Sequence, residues 1–273
     1  MSARAQEQID SSNAEFWDEL CGTRLAQSVG INDASPESLA RYDAAYLDFY
    51  PYLERYMPAP DEEGRVLEVG LGYGTVGQRL AASRLEYHGV DIAEGPVRMM
   101  RHRLGHLGVA DAEARVRVAS VLDLPHDSGF FDRFYSIGCL HHTGDIPGSV
   151  SEAHRVLRPG GTAVVMLYAK HSYRQAGLAL KSLPGRLRRG GHDHDEWLRW
   201  RWDHNLAGEA APFTEYSSTA EVGRMFGDFS SVEIRRENFD SSRVLWRFYI
   251  PRERLLGLPA RLAGRDLYVT AVK

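Results

Sequence analysis

The sequence predicts an α/β fold, a mostly parallel sheet with helices on both faces, from three observations. Between residues 65 and 170, short β-like runs alternate with segments of helical periodicity. Such alternation builds right-handed βαβ crossovers, which close over a parallel sheet. A Gly-rich turn, Gly70-Leu71-Gly72-Tyr73-Gly74, separates the first such run from the first helical pattern. Residues 162–168 are apolar almost throughout rather than alternating, as suits a strand buried on both faces.

Taken in order, residues 66–69 read as the first strand and 75–84 as the helix after the turn. Residues 87–91 form a second strand. Val97, Met100, Leu104 and Leu107 recur at helical spacing behind Pro96, which suits a first turn. Residues 115–121 alternate charged and apolar side chains as a third strand, and 134–139 read as a fourth. Ile146, Val150, Ala153 and Leu157 mark one helix face, ended by Arg158-Pro159-Gly160-Gly161 before the fifth strand at 162–168. Further on, Ser218 and Glu221 make a capping box ahead of Val222, Met225 and Phe226. Residues 232–236 and 266–272 close the chain as two strands.

Two segments break this rhythm. Residues 1–60 are helical and aromatic and end in the Pro58-Ala59-Pro60 linker, which suggests a cap. Residues 170–216 are irregular and crowded with Arg, His and Trp, which suggests a lid inserted between core segments 61–169 and 217–273.

Composition narrows the class. The chain has 273 residues, 43% of them hydrophobic, enough for a substantial core. Its 33 basic and 37 acidic residues leave a formal charge of −4, which argues against a nucleic-acid or polybasic membrane-surface protein. Cys21 and Cys139 alone exclude a disulfide framework and suit a reducing cytoplasm. The amino end lacks a signal-peptide apolar core, and no apolar run is long enough to span a bilayer. The expectation is a cytoplasmic protein with no membrane partner. Its oligomeric state is left open.

The informative stretch is Val66-Leu67-Glu68-Val69-Gly70-Leu71-Gly72-Tyr73-Gly74-Thr75-Val76-Gly77. Glycines let the backbone turn tightly and approach a ligand, and the helix start presents free N–H groups. About twenty residues on, Asp91 ends the second strand, where a carboxylate can accept both ribose hydroxyls. Gly72-x-Gly74-x-x-Gly77 fits a dinucleotide fingerprint, whereas Glu68-x-Gly70-x-Gly72-x-Gly74 fits a different phasing.

In that second phasing the chain resembles the class I S-adenosylmethionine-dependent methyltransferases, over the run from about residue 65 to 170. Gly89-Val90-Asp91-Ile92, Ala119-Ser120-Val121-Leu122-Asp123-Leu124-Pro125, Phe130-Phe131-Asp132, Leu140-His141-His142-Thr143 and Arg155-Val156-Leu157-Arg158-Pro159-Gly160-Gly161 complete the match in order. The resemblance implies a Rossmann-like three-layer sandwich with a seven-stranded, mostly parallel sheet whose last strand, 266–272, is antiparallel. It also implies S-adenosyl-L-methionine as cofactor. Glu68 would orient the methionine end, and Gly70, Leu71, Gly72 and Gly74 would admit it. Asp91 would hold the ribose and Ile92 would pack on adenine, while Gly138 and Cys139 would line the amine and sulfonium. The family often has an acidic residue after the third strand to meet the adenine amine. This chain has Ser120, whose hydroxyl can accept that bond while the Val121 N–H serves a ring nitrogen.

Methyl transfer is an in-line displacement in which alignment and water exclusion supply much of the acceleration. A base is needed only where the acceptor loses a proton. His141 and His142, just past the fourth strand, are the candidate catalytic bases, against packing roles in the loop. Tyr168, His171, Tyr173 and, further on, Tyr216 are candidate substrate residues. Phe16 and Trp17 are expected to cover the cofactor or pack in the core. Cys139 reads as a small packed residue rather than a nucleophile. Trp197, Trp200 and Trp202 interleave with Arg199 and Arg201, a pattern that can bind RNA, but Asp193, Asp195, Glu196 and Asp203 dilute its charge, so nucleic acid is not expected. His192, Asp193, His194, Asp195 and His204 diverge around a Gly-Gly loop, so no metal site is expected.

The expected function is methylation of a small molecule at oxygen or nitrogen, in bacterial specialised metabolism. The alternatives are cyclisation of the cofactor's aminobutyrate arm with release of methylthioadenosine, methylation of RNA or protein, and non-catalytic cofactor binding.

Overall fold

A computed structural model describes residues 2–20, 23–176, 199, 203–244 and 248–273. The chain opens with helices α1 (Ala3–Trp17), α2 (Thr23–Ser28) and α3 (Pro36–Phe49), followed by a 3₁₀ turn at Pro51–Tyr56. Ser35 caps α3, its hydroxyl accepting from the Ser38 N–H, with Pro36 in the first turn. The core then alternates: β1 (Gly64–Val69), α4 (Thr75–Ala81), β2 (Leu85–Asp91), α5 (Glu94–His106), α6 (Ala112–Arg115), β3 (Val116–Val118), β4 (Phe131–Ile137), α7 (Ile146–Val156) and β5 (Leu157–Tyr168). Further along the chain come α8 (Thr219–Met225), β6 (Ser231–Glu237), β7 (Ser242–Val244), β8 (Phe248–Ile250), α9 (Leu258–Ala263) and β9 (Asp266–Val272). Both arms of the Ser218–Glu221 capping box are formed.

Among the described residues the main sheet has seven strands in the order β3-β2-β1-β4-β5-β9-β6. It is parallel except for β9, which runs antiparallel to both β5 and β6. Strand order reverses between β1 and β4, and open α/β sheets bind ligands at such a switch point, beyond the carboxyl ends of the strands. Alternate β1 side chains feed two cores. Leu67 and Val69 join Val150, Ala153 and Phe226 on one face, while Val66 joins Val76, Leu80, Met100 and the aromatic Tyr52 and Tyr56 on the other.

Three details depart from the sequence reading. β3 has three residues, because from Ala119 onward the chain turns off the sheet edge towards the switch point. The Arg158-Pro159-Gly160-Gly161 run does not separate helix from strand. It lies within β5 as a register shift, with Phe131 opposite Leu157 but Arg133 opposite Thr162. Gly161 is required there, since a Cβ would stand 2.9 Å from the Arg158 carbonyl oxygen and 3.1 Å from that of Asp132. The β7–β8 hairpin and α9 were not expected, because elements of three to six residues are too short to show a period. No helix among the described residues is long and apolar enough to cross a membrane.

Candidate active site

A cavity of about 360 Å³ opens at the switch point, lined by the carboxyl ends of β1, β2, β4 and β5 and roofed by α1 and α3. Its floor is the Gly-rich loop. Gly70, Gly72 and Gly74 all have positive φ (83°, 51° and 81°), the left-handed region that disfavours a side chain. Two of them are also closely approached. A Cβ on Gly70 would stand 2.8 Å from the Cys139 sulfur, and one on Gly74 would stand 2.7 Å from Arg103 Cδ.

Two buried carboxylates sit behind this loop. Asp91 at the end of β2 accepts from the Leu71 N–H through Oδ2 (2.8 Å) and from the Ala93 N–H through Oδ1 (3.0 Å). Each oxygen retains acceptor capacity towards the cavity. Burial pushes Asp91 up to about 6, against the pull of those N–H groups. Glu68 accepts from the Tyr87 hydroxyl (2.6 Å), and burial pushes it up to about 8. Among the described residues the charged side chains lining the cavity are Asp10, Glu68 and Asp91, and no Lys or Arg lines it.

The loop after β4 carries both histidines, their rings 4.3 Å apart, centroid to centroid, but only one of them lines the cavity. Leu140–His142 is a single 3₁₀ turn, in which consecutive side chains point about 120° apart. His142 faces the cavity, its Nδ1–H donating to the Phe213 carbonyl (2.7 Å). That bond leaves Nε2 as the nitrogen with a free lone pair. The Trp17 ring lies 4.8 Å from the imidazole, centroid to centroid. Burial holds His142 below its ordinary range, so the ring is neutral near pH 7. His141 is fully buried and does not line the cavity. It packs against the Tyr168 ring at 3.9 Å, and burial pushes it well below its ordinary value. A solvent-free imidazole without access to the cavity cannot exchange a proton with a ligand there, which corrects its reading as a base.

Core and comparisons agree. The family model described as "Methyltransferase domain" matches residues 67–165. The chain is 26% identical over 175 residues to a ubiquinone biosynthesis O-methyltransferase of Methylocella silvestris, covering 63% of this chain and 66% of that one. It is 34% identical over 100 residues to the 27-O-demethylrifamycin SV methyltransferase of Amycolatopsis mediterranei, 36% of either chain. The matches therefore span from about a third to just under two thirds of these curated relatives. Among solved structures, geranyl diphosphate C-methyltransferase from Streptomyces coelicolor superposes with a TM-score of 0.52 at 15% identity, over 98% of this chain and 96% of that one. Residues 67–165 of this chain are similar to the methyltransferase domain, and the chain has the fold of the S-adenosylmethionine-dependent methyltransferases.

The residues present fit the cofactor of those enzymes. S-adenosylmethionine carries a sulfonium, and the cavity offers it carboxylates and no competing cation. A dinucleotide's pyrophosphate would meet the same carboxylates unfavourably. Of the residues the sequence marks for the cofactor, Glu68, Gly70, Leu71, Gly72, Gly74, Asp91, Ile92, Ser120, Val121, Gly138, Cys139 and Trp17 all line this one cavity. Phe16 does not. It is buried and packs edge-on to Trp17 (4.7 Å). The Ser120 hydroxyl accepts from the Leu122 N–H (3.3 Å).

The substrate candidates divide. Tyr168 lines the cavity and donates its hydroxyl to Asp203 (3.0 Å), whose carboxyl burial pushes up. Tyr216 stacks behind Tyr168 at 5.8 Å and does not reach the cavity. His171 is exposed, and Tyr173 stacks on Phe239 and donates to Asp240 (2.5 Å), so both correct the sequence reading. The chain turns outward after Tyr168 and carries both off the cavity. The Trp197, Trp200 and Trp202 cluster with its arginines, and His192 and His194, lie outside the described residues apart from Arg199. Among the described residues no three His, Cys, Asp or Glu side chains group as metal ligands.

Several lining or supporting residues escaped the sequence reading. Tyr42, Tyr46, Phe49 and Tyr50 at the end of α3 form an aromatic wall, and Asp10 and Asn13 come from α1. The fully buried Arg103 on α5 donates to the Tyr73 carbonyl (2.7 Å) and, with both Nη groups, to Asp43 of α3 (2.8 and 2.9 Å). The Thr75 hydroxyl donates to the same Asp43 (2.6 Å). A lone Arg in a helix whose neighbours are also basic carries no sequence signal of burial. The repeated Tyr42, Tyr46, Phe49, Tyr50 spacing was visible, but not what it faces.

Proposed function

We propose that this chain transfers a methyl group from S-adenosylmethionine to an oxygen or nitrogen of a small molecule, in the cytoplasm and within bacterial specialised metabolism. The single observation that carries the reading is His142. Its Nε2 lone pair is set by the Phe213 carbonyl and lies in the same cavity as Glu68, the glycine loop and Asp91. When bound, the cofactor supplies an electrophilic methyl: the acceptor's lone pair bonds to carbon as the C–S bond breaks, its electron pair staying on sulfur.

The chain's own residues do the rest. Asp91 and the glycine loop hold and orient the cofactor. Trp17 and the α3 aromatics exclude water, which strengthens alignment in the closed site. His142 Nε2 takes the proton that the acceptor loses. Residues 1–60 and 170–216 act as cap and lid over the core at 61–169 and 217–273. Support comes from α1, whose Asn13 and Gln6 amides donate to the His142 and Thr143 carbonyls (2.8 and 2.7 Å). Residues 213–217 run alongside, with the Glu215 N–H on the His141 carbonyl (2.8 Å) and the Ser217 N–H on that of Tyr168 (2.9 Å). A cavity of about 360 Å³ suits a small acceptor.

The test is to incubate the protein with S-adenosylmethionine and candidate acceptors and to identify the spent nucleoside by mass spectrometry. Acceptor-dependent S-adenosylhomocysteine supports the reading. Stoichiometric methylthioadenosine without any acceptor overturns it in favour of chemistry on the cofactor's own arm.

A further inference from the structure

Away from the cavity, the carboxyl end of α5 brings two imidazoles onto one spot. His102 and His106 stand four residues apart and so share one face of the helix. Their Nε2 atoms are 3.0 Å apart, and the rings are nearly perpendicular with centroids at 4.4 Å. His102 Nε2 also lies 2.8 Å from the carbonyl oxygen of Ala34, in the loop between α2 and α3. Three atoms that carry lone pairs therefore converge, and protons satisfy them poorly. If His102 Nε2 carries the proton, its one hydrogen has to serve both Ala34 and His106. If His106 donates instead, the bare His102 nitrogen faces the Ala34 oxygen lone pair to lone pair. Both histidines are exposed, so a ligand reaches them directly from solvent.

A metal ion at the centre would satisfy all three at once. Imidazole nitrogens bind late first-row divalent ions at about 2.0–2.1 Å. Two such ligands at right angles stand about 2.9 Å apart, against about 3.3 Å at the tetrahedral angle. The observed 3.0 Å matches adjacent corners of a square, the arrangement Cu²⁺ and Ni²⁺ take among nitrogen and oxygen ligands. The Ala34 oxygen stands beside His102 as a third donor. The surroundings accept the charge. His106 closes α5, where the unpaired carbonyls of a helix end favour a cation. The arginines of the same helix are paired, Arg98 with Glu94 (3.1 Å), Arg101 with Glu113 (2.6 Å) and Arg103 with Asp43 (2.8 Å). We propose that His102, His106 and the Ala34 carbonyl bind one divalent ion of the copper–nickel class, with water in its other positions. The bound ion clips the loop that enters α3 onto α5. None of the three residues lines the cavity, so the inference needs neither cofactor nor acceptor.

The experiment titrates the full chain, stripped with chelator and carrying no appended histidines, with Ni²⁺ and with Cu²⁺ by calorimetry. Mg²⁺ serves as the control. The chain should bind one equivalent of either ion that His102→Ala and His106→Ala each weaken at least tenfold. His171→Ala, which removes another exposed histidine, should leave that equivalent in place. Binding should raise the melting temperature and slow hydrogen exchange across residues 31–36 at least threefold, and Mg²⁺ should do neither. His106→Ala keeps His102 against Ala34, so it separates the ion's hold on the loop from the existing contact. Its metal-free melting temperature should equal that of the unsubstituted chain, which shows that it is folded. An equivalent that survives either alanine substitution is adventitious and overturns the inference. Absence of binding overturns it too, as does binding that leaves exchange across residues 31–36 unchanged.

Discussion

Two adjacent histidines pack ring to ring at 4.3 Å, yet only His142 lines the cavity. His142→Ala should lower turnover by about 10²–10⁴-fold, the usual contribution of a positioned base, with cofactor affinity nearly unchanged. His141→Phe should keep most activity, since an aromatic ring there preserves the packing against Tyr168 and His142. Steady-state kinetics on both variants decide this, and equal losses would remove the base from His142. Asp91 does two jobs, holding the loop N–H groups and facing the ligand. Asp91→Asn should therefore weaken cofactor binding by about 2–4 kcal/mol, by loss of charge-assisted bonds and mismatch of the amide with the loop, read by calorimetry. Glu68 and Asp91 give a pH signature of defined sign. Burial raises them to about 8 and about 6, so the ligand-free fold holds protons that the unfolded chain has released. Their contribution to stability is full below the ordinary carboxylate range and is lost as pH rises through 6 and then 8. Melting temperature of the free protein should fall across that window, and Glu68→Gln should flatten the part near 8. A cationic ligand favours the ionised carboxylates, so its affinity should rise over the same window with release of protons to buffer.

At the scale of elements, α3, α5 and the glycine loop are joined by one buried charge pair. Arg103 reaches the loop through the Tyr73 carbonyl and α3 through Asp43, and Thr75 bonds the same carboxylate. Removing one partner strands the other. Asp43→Ala or Arg103→Ala should cost about 3–5 kcal/mol in urea unfolding, and the double substitution should cost less than the sum. An additive result would mean the pair is not coupled. Element types along the core were legible because each has its own signal: the capping box of α8, Pro96 in a first turn, and the apolar run of β5. What failed was the Pro-Gly-Gly segment. Its turn-like residues were read as a break, whereas the sheet uses them as a register shift where backbone atoms crowd Gly161.

Across the whole molecule, α1 is held over the cavity by a few polar links from distant parts of the chain. Asn13 and Gln6 reach the loop after β4, the Asp18 carboxylate accepts from the Gly95 N–H (2.5 Å), and Glu19 accepts from the Leu206 N–H (2.9 Å). Its described contacts include little apolar burial besides Phe16. Such an element lies at the low end of local stability. Hydrogen exchange across residues 3–17 should slow by tenfold or more when the cofactor binds and gives Trp17 a partner surface. Equal protection in both states would make α1 an ordinary part of the core.

The antiparallel final strand followed only from the family resemblance, whereas by itself the sequence determined the alternating core and the glycine loop with Glu68 and Asp91. Those features rest on local rules, in that periodicity, positive-φ glycines and strand-end carboxylates act within about twenty residues of one another. Only the tertiary structure decided which histidine faces the cavity, that Arg103 and Asp43 pair, that the α3 tyrosines form its wall, and that Tyr173 and His171 do not reach it. Each of these depends on where distant segments meet, Asp43 with Arg103 or Phe213 with His142. A side chain's partner across such a distance is chosen by packing, which leaves no period or spacing in the chain to be read.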